Sequence, residues 1–239
     1  MPPEDLGPLL PEARDFYDRV AEVYNQKFAH PQAFTFQQTA WLARNCQPGL
    51  ILDIGCGTGR MFKPLKDAGF KPVGLDCAPK MLKQARKVQS WAPLVRADAG
   101  LGLPFGNQVF QTAISLHATV IHLIDPKTLG SMAREVYRVL KPGGQFVVEI
   151  PHPSTFPKPS KGSTWTPFTN RISCRLVGSG LYELRLHEYR ELRTRVRVLD
   201  IPDLKEWLRH FSSLELYPGF QGGRFKERSG DIIVVRARK

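Results

Sequence analysis

An apolar run that ends in a glycine-rich turn restricts this chain more than any other feature. Residues 50–60 read LILDIGCGTGR, with one acid, Asp53, in the apolar run and Gly55, Gly57 and Gly59 alternating behind it. Alternating glycines allow positive φ angles and let a backbone approach a ligand closely. A helix that begins just beyond such a turn points its free amides at a carboxylate or phosphate. The stretch therefore predicts a strand, a cofactor-binding turn and a helix.

Strand and helix patterns alternate from this turn to Ile150. The apolar runs LILDI, KPVGLD, APLVRAD, VFQTAISLH and GGQFVVEI are separated by amphipathic helical patterns, and the turn KPGG overlaps the start of the last run. Such alternation is typical of parallel strands joined by right-handed crossovers. The predicted fold class is therefore α/β, with a doubly wound, Rossmann-like sheet that binds ligands beyond the carboxyl ends of its strands.

The segments on either side of this alternation have different patterns. Two helical patterns, PEARDFYDRVAEVYNQKF and FTFQQTAWLARNC, precede the first strand. After Ile150, a loop rich in Pro, Ser and Thr leads to an antiparallel hairpin (RISCRLV and LYELRLHEY), a strand TRVRVLD, a helix and a closing pair of strands. We expect residues 1–49 to form an N-terminal helical lid, residues 50–150 and 201–239 the sheet domain, and residues 151–200 an inserted antiparallel β excursion on the substrate side.

Composition and charge limit the possible partners. The 239 residues are 42% hydrophobic, which is typical of a globular protein. No apolar window approaches the roughly 20 residues of a membrane span, and the acidic start MPPEDLGPLL is unlike a secretory signal, so a cytoplasmic location is expected. The four cysteines lie far apart, so no metal site is predicted. Residues 151–239 carry 17 basic and 9 acidic residues and could attract anions.

The turn departs from the nucleotide-binding patterns that it first suggests. A dinucleotide turn requires G-x-G-x-x-G, whereas Arg60 stands in the place of the third glycine, and no G-K-[ST] of a P-loop follows. Asp53 lies two residues before the turn and suits a ligand with an ammonium group. S-adenosylmethionine carries an ammonium and a carboxylate at its methionine end and has no phosphate. The residues favour this cofactor over a nucleotide.

Five segments, in order along the chain, resemble the motifs of class I S-adenosylmethionine-dependent methyltransferases. They are LILDIGCGTGR, VGLDCAPKML, VRADAGLGLPF, FQTAISLHATVIHLID and EVYRVLKPGGQFVVEI, and YDRVAEVYN resembles a helix of the small-molecule, methyltransferase type 11-like branch. The resemblance covers roughly residues 16–150 and the last two strands. It implies a seven-stranded sheet whose last strand is antiparallel, S-adenosyl-L-methionine as cofactor and S-adenosyl-L-homocysteine as product.

The resemblance also implies roles for residues at the strand ends. Asp53 would bind the ammonium group, and Asp76 would accept charge-assisted hydrogen bonds from the two ribose hydroxyls. Asp98 would accept a hydrogen bond from the adenine amino group, with the amide of Ala99 facing a ring nitrogen. Met81 would pack against the adenine face.

Further residues are expected around the methyl group and over the cofactor. Ser115 and His117 would lie beside the sulfonium, and Tyr17 and Tyr24 would cover the cofactor from the lid. The complete expected cofactor site is Tyr17, Tyr24, Asp53, Gly55, Cys56, Gly57, Thr58, Gly59, Asp76, Cys77, Met81, Asp98, Ala99, Ser115 and His117.

The implied chemistry requires few catalytic groups. Methyl transfer from a sulfonium is an in-line displacement that positioning and exclusion of water can largely catalyse. If the acceptor must lose a proton, the candidate bases are His117, Glu149 and His152, at the ends of the fourth and fifth strands. The family motif departs at Gln111, where an acid is usual, and His122 stands where a second histidine would be. We expect His122 to be a structural cap.

Two classes of acceptor remain open. One is a small molecule, such as a metabolite, quinone or terpenoid, with Phe156, Trp165 and Phe168 as pocket wall. The other is RNA, as in a tRNA-modifying enzyme, or an anionic membrane surface. Its contacts would come from the basic residues 171–197, namely Arg171, Arg175, Arg190, Arg193, Arg195 and Arg197. Glu183, Glu188 and Glu191 are interspersed among these arginines, as on a solvated hairpin. We therefore expect a small-molecule acceptor, and a monomer or homodimer.

Overall fold

Helices and strands alternate through most of the chain. The computed structural model describes residues 13–28, 32–158, 165–169, 171–187, 192–227 and 230–239. The strands are β1 (Leu50–Ile54), β2 (Lys71–Asp76), β3 (Leu94–Arg96), β4 (Phe110–Ser115), β5 (Leu140–Pro151), β6 (Thr166–Pro167), β7 (Ile172–Gly178), β8 (Leu181–Leu186), β9 (Arg193–Arg197), β10 (Ser213–Tyr217) and β11 (Ile232–Arg238). The helices are α1 (Ala13–Val20), α2 (Tyr24–Lys27), α3 (Gln32–Asn45), α4 (Phe62–Asp67), α5 (Pro79–Val88), α6 (Pro126–Val139) and α7 (Ile201–Trp207), with 3-10 turns at Thr119–His122 and Pro153–Thr155.

Seven strands form the central sheet, in the order β10-β11-β5-β4-β1-β2-β3. The pairs among β1 to β5 are parallel, and β11 runs antiparallel to both of its neighbours, β5 and β10. This confirms the predicted doubly wound α/β sheet with an antiparallel last strand.

Apolar side chains on the two faces of this sheet belong to separate cores. Leu52 and Val148 pack with α6 and α7, which contribute Met132 and Trp207 among others. On the other face, Ile51 and its neighbours pack with α3 and α4. Because β1 lies between β2 and β4 and is covered on both faces, its run of apolar residues is continuous rather than alternating.

The N-terminal helical region and the start of β5 differ from the prediction. The single helix expected over residues 11–28 is broken into α1 and α2 by a turn at residues 21–23, and Pro11, expected in its first turn, lies outside the described residues. The predicted turn KPGG is part of β5, where the pairing with β4 is irregular. Gly143, with φ of 72°, supplies the left-handed conformation that such an irregularity needs. No described helix has the length and apolar character needed to cross a membrane.

A second sheet, of antiparallel strands in the order β6-β7-β8-β9, lies in the chain between β5 and α7. Thr194 and Val196 of β9 are buried, while the arginines of the same strand alternate with them. Val196 packs in the same apolar core as α6 and α7, together with Tyr182 of β8. The second sheet therefore shares a hydrophobic core with the central sheet.

Candidate functional site

A cavity of about 550 Å³ opens at the carboxyl ends of β1, β2 and β4, beneath α1. Most of the residues expected around a cofactor line it. These are Tyr17, Tyr24, Asp53, Gly55, Cys56, Gly57, Thr58, Asp76, Cys77, Met81, Asp98, Ala99 and His117. The lining also includes residues that the motifs did not indicate, chiefly Arg14, Arg60, Arg96, Leu101, Thr119, His122 and Ile124.

The glycine turn is held against the end of β2 by hydrogen bonds to one carboxylate. The amide of Gly57 donates to Asp76 Oδ2 and that of Ala78 to Asp76 Oδ1, each at 2.8 Å. The amides of Gly55 and Cys56 both donate to the carbonyl of Leu75. Asp76 thus fixes the turn and the start of α5, and each of its oxygens retains a second lone pair for a ligand.

Asp53 is a buried carboxylate whose negative charge is poorly compensated. It is 4% exposed, and burial and the nearby Asp76 raise its pKa to about 7, while Arg60 acts in the opposite direction. Arg60 lines the same cavity and also lowers the pKa of Tyr24 and of Glu149. A ligand cation beside Asp53 would supply the positive charge that this end of the cavity lacks.

The adenine side of the expected site is more open. Asp98 is exposed, and its Oδ1 accepts a hydrogen bond from the amide of Gly100 at 2.8 Å. Met81 is 3% exposed and packs with Ala21 and Tyr17 of the N-terminal region. Met81 therefore joins the wall of the cavity to the segment that covers it.

The segment formed by α1 and α2 contacts the cavity wall through polar side chains. The hydroxyl of Tyr17 is hydrogen-bonded to Nε2 of His122 at 2.9 Å. The hydroxyl of Thr58 donates to Asn25 Oδ1 at 2.7 Å. Asp18 Oδ1 accepts from the backbone amide at residue 80 at 2.8 Å. These contacts connect α1 and α2 to the turn after β4, to the glycine turn and to the start of α5.

Two residues after β4 have strained backbones, and one of them, His117, lines the cavity. His117 and Ala118 have φ of 55° and 62°, the left-handed region that residues with a side chain rarely adopt. The amide of His117 donates to Glu149 Oε2 at 3.3 Å, and Gln38 Nε2 of α3 donates to the same oxygen at 2.7 Å. Strain of this kind persists only where the surroundings impose it and is common at functional sites.

Comparison with known proteins agrees with this geometry. Residues 51–144 match the family model described as Methyltransferase domain. The demethylmenaquinone methyltransferase of Thermus thermophilus is 35% identical over 170 residues, which are 68% of this chain and 72% of that protein. This chain belongs to the class I S-adenosylmethionine-dependent methyltransferases.

Other members of the family are similar over smaller parts or in fold alone. The bovine (Bos taurus) 18S rRNA (guanine-N(7))-methyltransferase is 33% identical over 111 residues, which are 44% of this chain and 40% of that protein. The chain thus spans less than two thirds of some of the curated relatives that it matches. The CcbJ methyltransferase of Streptomyces caelestis has the same fold, with a TM-score of 0.77 at 20% identity over 93% of this chain and 97% of that one.

Two residues expected in the methyltransferase cofactor site lie outside the cavity. Ser115 is fully buried, and its hydroxyl donates to the carbonyl of Ile54 at 3.2 Å, so it joins β4 to β1. Gly59 faces the side chains of Phe62 and Ala85, where an added Cβ would lie 3.1 Å from the Phe62 ring. Both residues act within the fold, and neither lines the described cavity.

The candidate bases separate into one residue at the cavity and two behind it. His117 lines the cavity, and Phe34 packs edge-on against its ring at 6.1 Å. Glu149 is 4% exposed and binds Gln38 and the amide of His117, so it supports the strained turn. Burial raises its pKa, which those hydrogen bonds partly oppose.

His152 lies at a turn away from the cavity. Its Nδ1 accepts from the amide of Ser154 at 3.1 Å and is 2.8 Å from the Ser154 hydroxyl, which in turn contacts Gly230. His152 is not among the residues that line the described cavity, and its role as a base stays a prediction.

His122 is placed differently from the prediction as well. It ends the 3-10 turn Thr119–His122 but lines the cavity, where it contacts Tyr17, instead of acting as a cap. Burial lowers its pKa to about 4, an effect that the nearby backbone of Arg195 partly opposes. His122 is therefore a neutral imidazole in the cavity wall at neutral pH.

The second sheet contributes no residue to the cavity lining among those described. Phe156 is 6% exposed and stacks on Phe168 at 4.8 Å, so these rings belong to the core and not to a pocket wall. Trp165 lies between two guanidinium groups, at 4.9 Å from Arg175 and 4.4 Å from Arg185.

The arginines of the second sheet gather around one acid. Glu183, 4% exposed, lies 2.7 Å from Arg175, 3.7 Å from Arg193 and 3.6 Å from Arg195. Arg197 donates to the carbonyl of Ile124 at 2.5 Å. Arg190, Glu188 and Glu191 lie outside the described residues. No cluster of potential metal ligands occurs in the described part of the chain.

Proposed function

We propose that this chain transfers the methyl group of S-adenosyl-L-methionine to a small molecule. The observation that carries the proposal is the cavity itself, in which Asp53, the glycine turn and Asp76 face α1 across about 550 Å³. S-adenosylmethionine supplies a methyl group on a positively charged sulfur. The chain's own contribution is to hold both reactants in line and to exclude water.

The residues present fit this cofactor. Asp53, with its raised pKa, suits the ammonium group, since a cation would restore the carboxylate's usual ionisation. Asp76 has lone pairs left for ribose hydroxyls after binding Gly57 and Ala78. Asp98, with Ala99 beside it, is accessible to the adenine amino group.

Two observations favour a small molecule over RNA as the acceptor. The arginines Arg175, Arg193 and Arg195 are engaged by Glu183, so much of their charge is compensated within the sheet. The relatives include a demethylmenaquinone methyltransferase, although an rRNA methyltransferase is among them too. RNA modification is therefore the second candidate function.

We also propose the division of the chain that the sequence suggested. Residues 1–49 would act as a lid, since Tyr17 and Tyr24 line the cavity and Asn25 bonds the glycine turn at Thr58. Residues 50–150 and 201–239 would form the cofactor-binding domain. Residues 151–200 would support the acceptor side, where β9 lies beside the 3-10 turn that carries His122.

S-adenosylhomocysteine tests the cofactor part of the proposal. Ligand at about 100 times its Kd stabilises the native state by about 2.7 kcal/mol, which raises the Tm of a protein of this size by about 5 to 10 °C. Asp76→Ala should weaken binding by roughly tenfold to a hundredfold, the value of hydrogen bonds to a charged group. Asp67→Ala is the control, because Asp67 is exposed and pairs only with Lys63 among the described contacts.

Labelled methyl transfer tests the acceptor part. The protein is incubated with S-adenosylmethionine carrying a tritiated methyl group and a cell extract, and the label is counted in RNA, protein and solvent-soluble fractions. We expect it in the solvent-soluble fraction. Label confined to RNA would support the second candidate, and no Tm response together with no transfer would contradict the proposed function.

A further inference from the structure

Two side chains from distant parts of the chain form a hydrogen-bonded pair on the cavity wall. Tyr17 of α1 and His122 of the 3-10 turn after β4 are 105 residues apart, and the hydroxyl of Tyr17 is 2.9 Å from His122 Nε2. Their rings meet edge to face, with centroids 5.3 Å apart and planes at 80°. Both residues line the cavity that holds Asp53 and Asp76.

The surroundings keep both members of the pair uncharged. Burial, and then the nearby Tyr24, Asp76 and Cys77, raise the pKa of Tyr17 well above its usual value, so Tyr17 remains a phenol. Burial lowers the pKa of His122 to about 4, and the one group that opposes this is the backbone of Arg195. A neutral phenol beside a neutral imidazole forms an O–H···N hydrogen bond when the facing nitrogen carries no proton.

A phenol that donates its proton to His122 still has two lone pairs on its oxygen. That oxygen can accept a hydrogen bond from an acceptor molecule in the cavity. Resting on the proposed function, we propose that Tyr17 and His122 form a proton relay and that the acceptor is methylated on a hydroxyl oxygen. The relay takes up the hydroxyl proton as the methyl group is transferred.

The step balances in atoms and charge. The acceptor oxygen forms the new O–CH₃ bond, while the S–CH₃ bond breaks and its electron pair stays on sulfur. The hydroxyl proton moves to the oxygen of Tyr17, and the proton of Tyr17 moves to Nε2 of His122. One positive charge is lost at sulfur and one appears on the imidazole, which later releases its proton to water.

The weak basicity of His122 selects the kind of acceptor. An oxygen that has gained a methyl group before losing its proton is an oxonium, a far stronger acid than imidazolium, so even a weak base accepts its proton. An amine that has gained a methyl group is an ammonium, a weaker acid than this imidazolium, and would keep its proton. The pair is therefore matched to hydroxyl acceptors and not to amines.

The loss of charge at sulfur assists the same transfer. A positive charge in the cavity disfavours a second one on His122, and its disappearance removes that repulsion. His122 therefore becomes a better base as the methyl group leaves the sulfur. A relay that is inactive until transfer begins avoids trapping a proton on His122 in the resting enzyme.

Nitrogen resonances of the histidine ring test the geometry without requiring turnover. The protein is labelled with ¹⁵N-histidine, saturated with S-adenosylhomocysteine at neutral pH and compared with His122→Gln to assign the resonances. We expect Nε2 of His122 to be unprotonated and its resonance to move in Tyr17→Phe, which loses the donor. A protonated Nε2, or a resonance unaffected by Tyr17→Phe, would overturn the relay.

Transfer of a ¹³C-labelled methyl group tests the acceptor class. The solvent-soluble product formed from a cell extract is examined by carbon NMR, which separates O-methyl from N-methyl and C-methyl carbons. We expect O-methyl, and a product that carries only N-methyl or only C-methyl carbons would overturn the inference. Failure of S-adenosylhomocysteine to raise the Tm, with no transfer at all, would instead mean that the proposed function is wrong.

The pH dependence of the same transfer separates a relay from a structural role. Tyr17→Phe should lower the rate at saturating cofactor by on the order of a hundredfold. Its rate should then rise about tenfold for each pH unit, because the acceptor must ionise unaided. Tyr137→Phe, which removes a hydroxyl outside the cavity lining, should behave as the wild type. A Tyr17→Phe rate equal to that of the wild type would contradict the relay.

Discussion

The two halves of the cavity are built in different ways. In the cofactor half, Gly57 and Asp76 are 19 residues apart, and Asp76 and Ala78 only 2 apart. In the lid half, Tyr17 and His122 are 105 residues apart, and Gln38 and Glu149 are 111 apart. The cofactor half is thus assembled by short segments of chain, whereas the lid half exists only after distant elements have packed together.

A buried carboxylate belongs to each half, Asp53 in the cavity lining and Glu149 behind it, and the two are stabilised differently. Arg60 is the main opposing influence on the raised pKa of Asp53, and a ligand would add the rest of the compensation. Glu149 accepts hydrogen bonds from Gln38 and His117 without any ligand. The negative charge of Asp53 therefore lacks full compensation until a cation binds beside it. Glu149 is already stabilised by hydrogen bonds from the chain itself.

The largest effect is expected where the two halves touch. A Cβ added to Gly55, whose φ is 76°, would lie 2.3 Å from Thr119 Cγ2 and 2.6 Å from Thr119 Oγ1. Left-handed strain of about 1–2 kcal/mol and overpacking of about 1–3 kcal/mol should lower the free energy of unfolding of Gly55→Ala by about 3 to 4 kcal/mol. Denaturant unfolding measures this difference.

The control for this change has a similar backbone and open space. Gly69 has φ of 87° and nothing within 4 Å of an added Cβ, so Gly69→Ala should incur the strain alone. Adding Thr119→Ala to Gly55→Ala should restore part of the lost stability, because it removes the two closest atoms. Equal losses of unfolding free energy in Gly55→Ala and Gly69→Ala would mean that the two halves are not closely packed at Gly55.

The next largest effect is on the pH dependence of stability and comes from the poorly compensated charge of Asp53. Its folded pKa of about 7 is above the usual value of 3.8, so the native state binds more protons than the unfolded state between these values. The free energy of unfolding should therefore fall as pH rises from about 4 to 7, by about 2 kcal/mol between pH 5 and 7, because the slope of about 1.4 kcal/mol per unit halves as the pH reaches the folded pKa. Asp53→Asn should abolish that fall, as measured by unfolding at several pH values.

The same measurement on Glu149→Gln sharpens the comparison between the halves. The pKa of Glu149 is raised by burial but lowered by its two hydrogen bonds, so replacing it should change the pH dependence less than Asp53→Asn does. If Glu149→Gln removed more of the pH dependence than Asp53→Asn, Glu149 would be the less well stabilised carboxylate of the two, and the contrast would be wrong.

The difference between short-range and long-range contacts explains which site residues could be predicted from the sequence. Asp76 was predictable because it ends the strand that follows the glycine turn and lies just before the start of a helix. Ser115 was assigned to the site because it ends β4, but alternation along a strand turned its side chain toward the carbonyl of Ile54. Position along a strand is readable from sequence, while the direction of one side chain depends on register.

Long-range pairs left no comparable signal. Gln38 lies in an ordinary helical pattern, and nothing near it in sequence indicates that it would be fully buried against Glu149. His122 was read from its local turn, whereas its partner comes from α1. The parallel direction of the central strands followed from alternation, but the packing of α1 and α2 required three-dimensional contacts.

The smallest of these effects tests whether the lid half is held together from within. Gln38 is fully buried, and its Nε2 donates to Glu149 at 2.7 Å. Gln38→Leu, of similar size, leaves Glu149 with the amide of His117 as its remaining donor in the described structure. Loss of one hydrogen bond to a carboxylate, partly offset because this acid can take up a proton, should lower the free energy of unfolding by about 1 to 2 kcal/mol.

Gln37, one residue earlier on α3, provides a matched control, because it bonds only the surface residue Gln221 in the described structure. Gln37→Leu should change stability by less than about 0.5 kcal/mol. In a double-mutant cycle, Glu149→Gln should cost less when Gln38 is already Leu, since the shared bond is gone. Additive costs would show that Gln38 and Glu149 do not depend on each other, and the strained turn at His117 would then need another source of support.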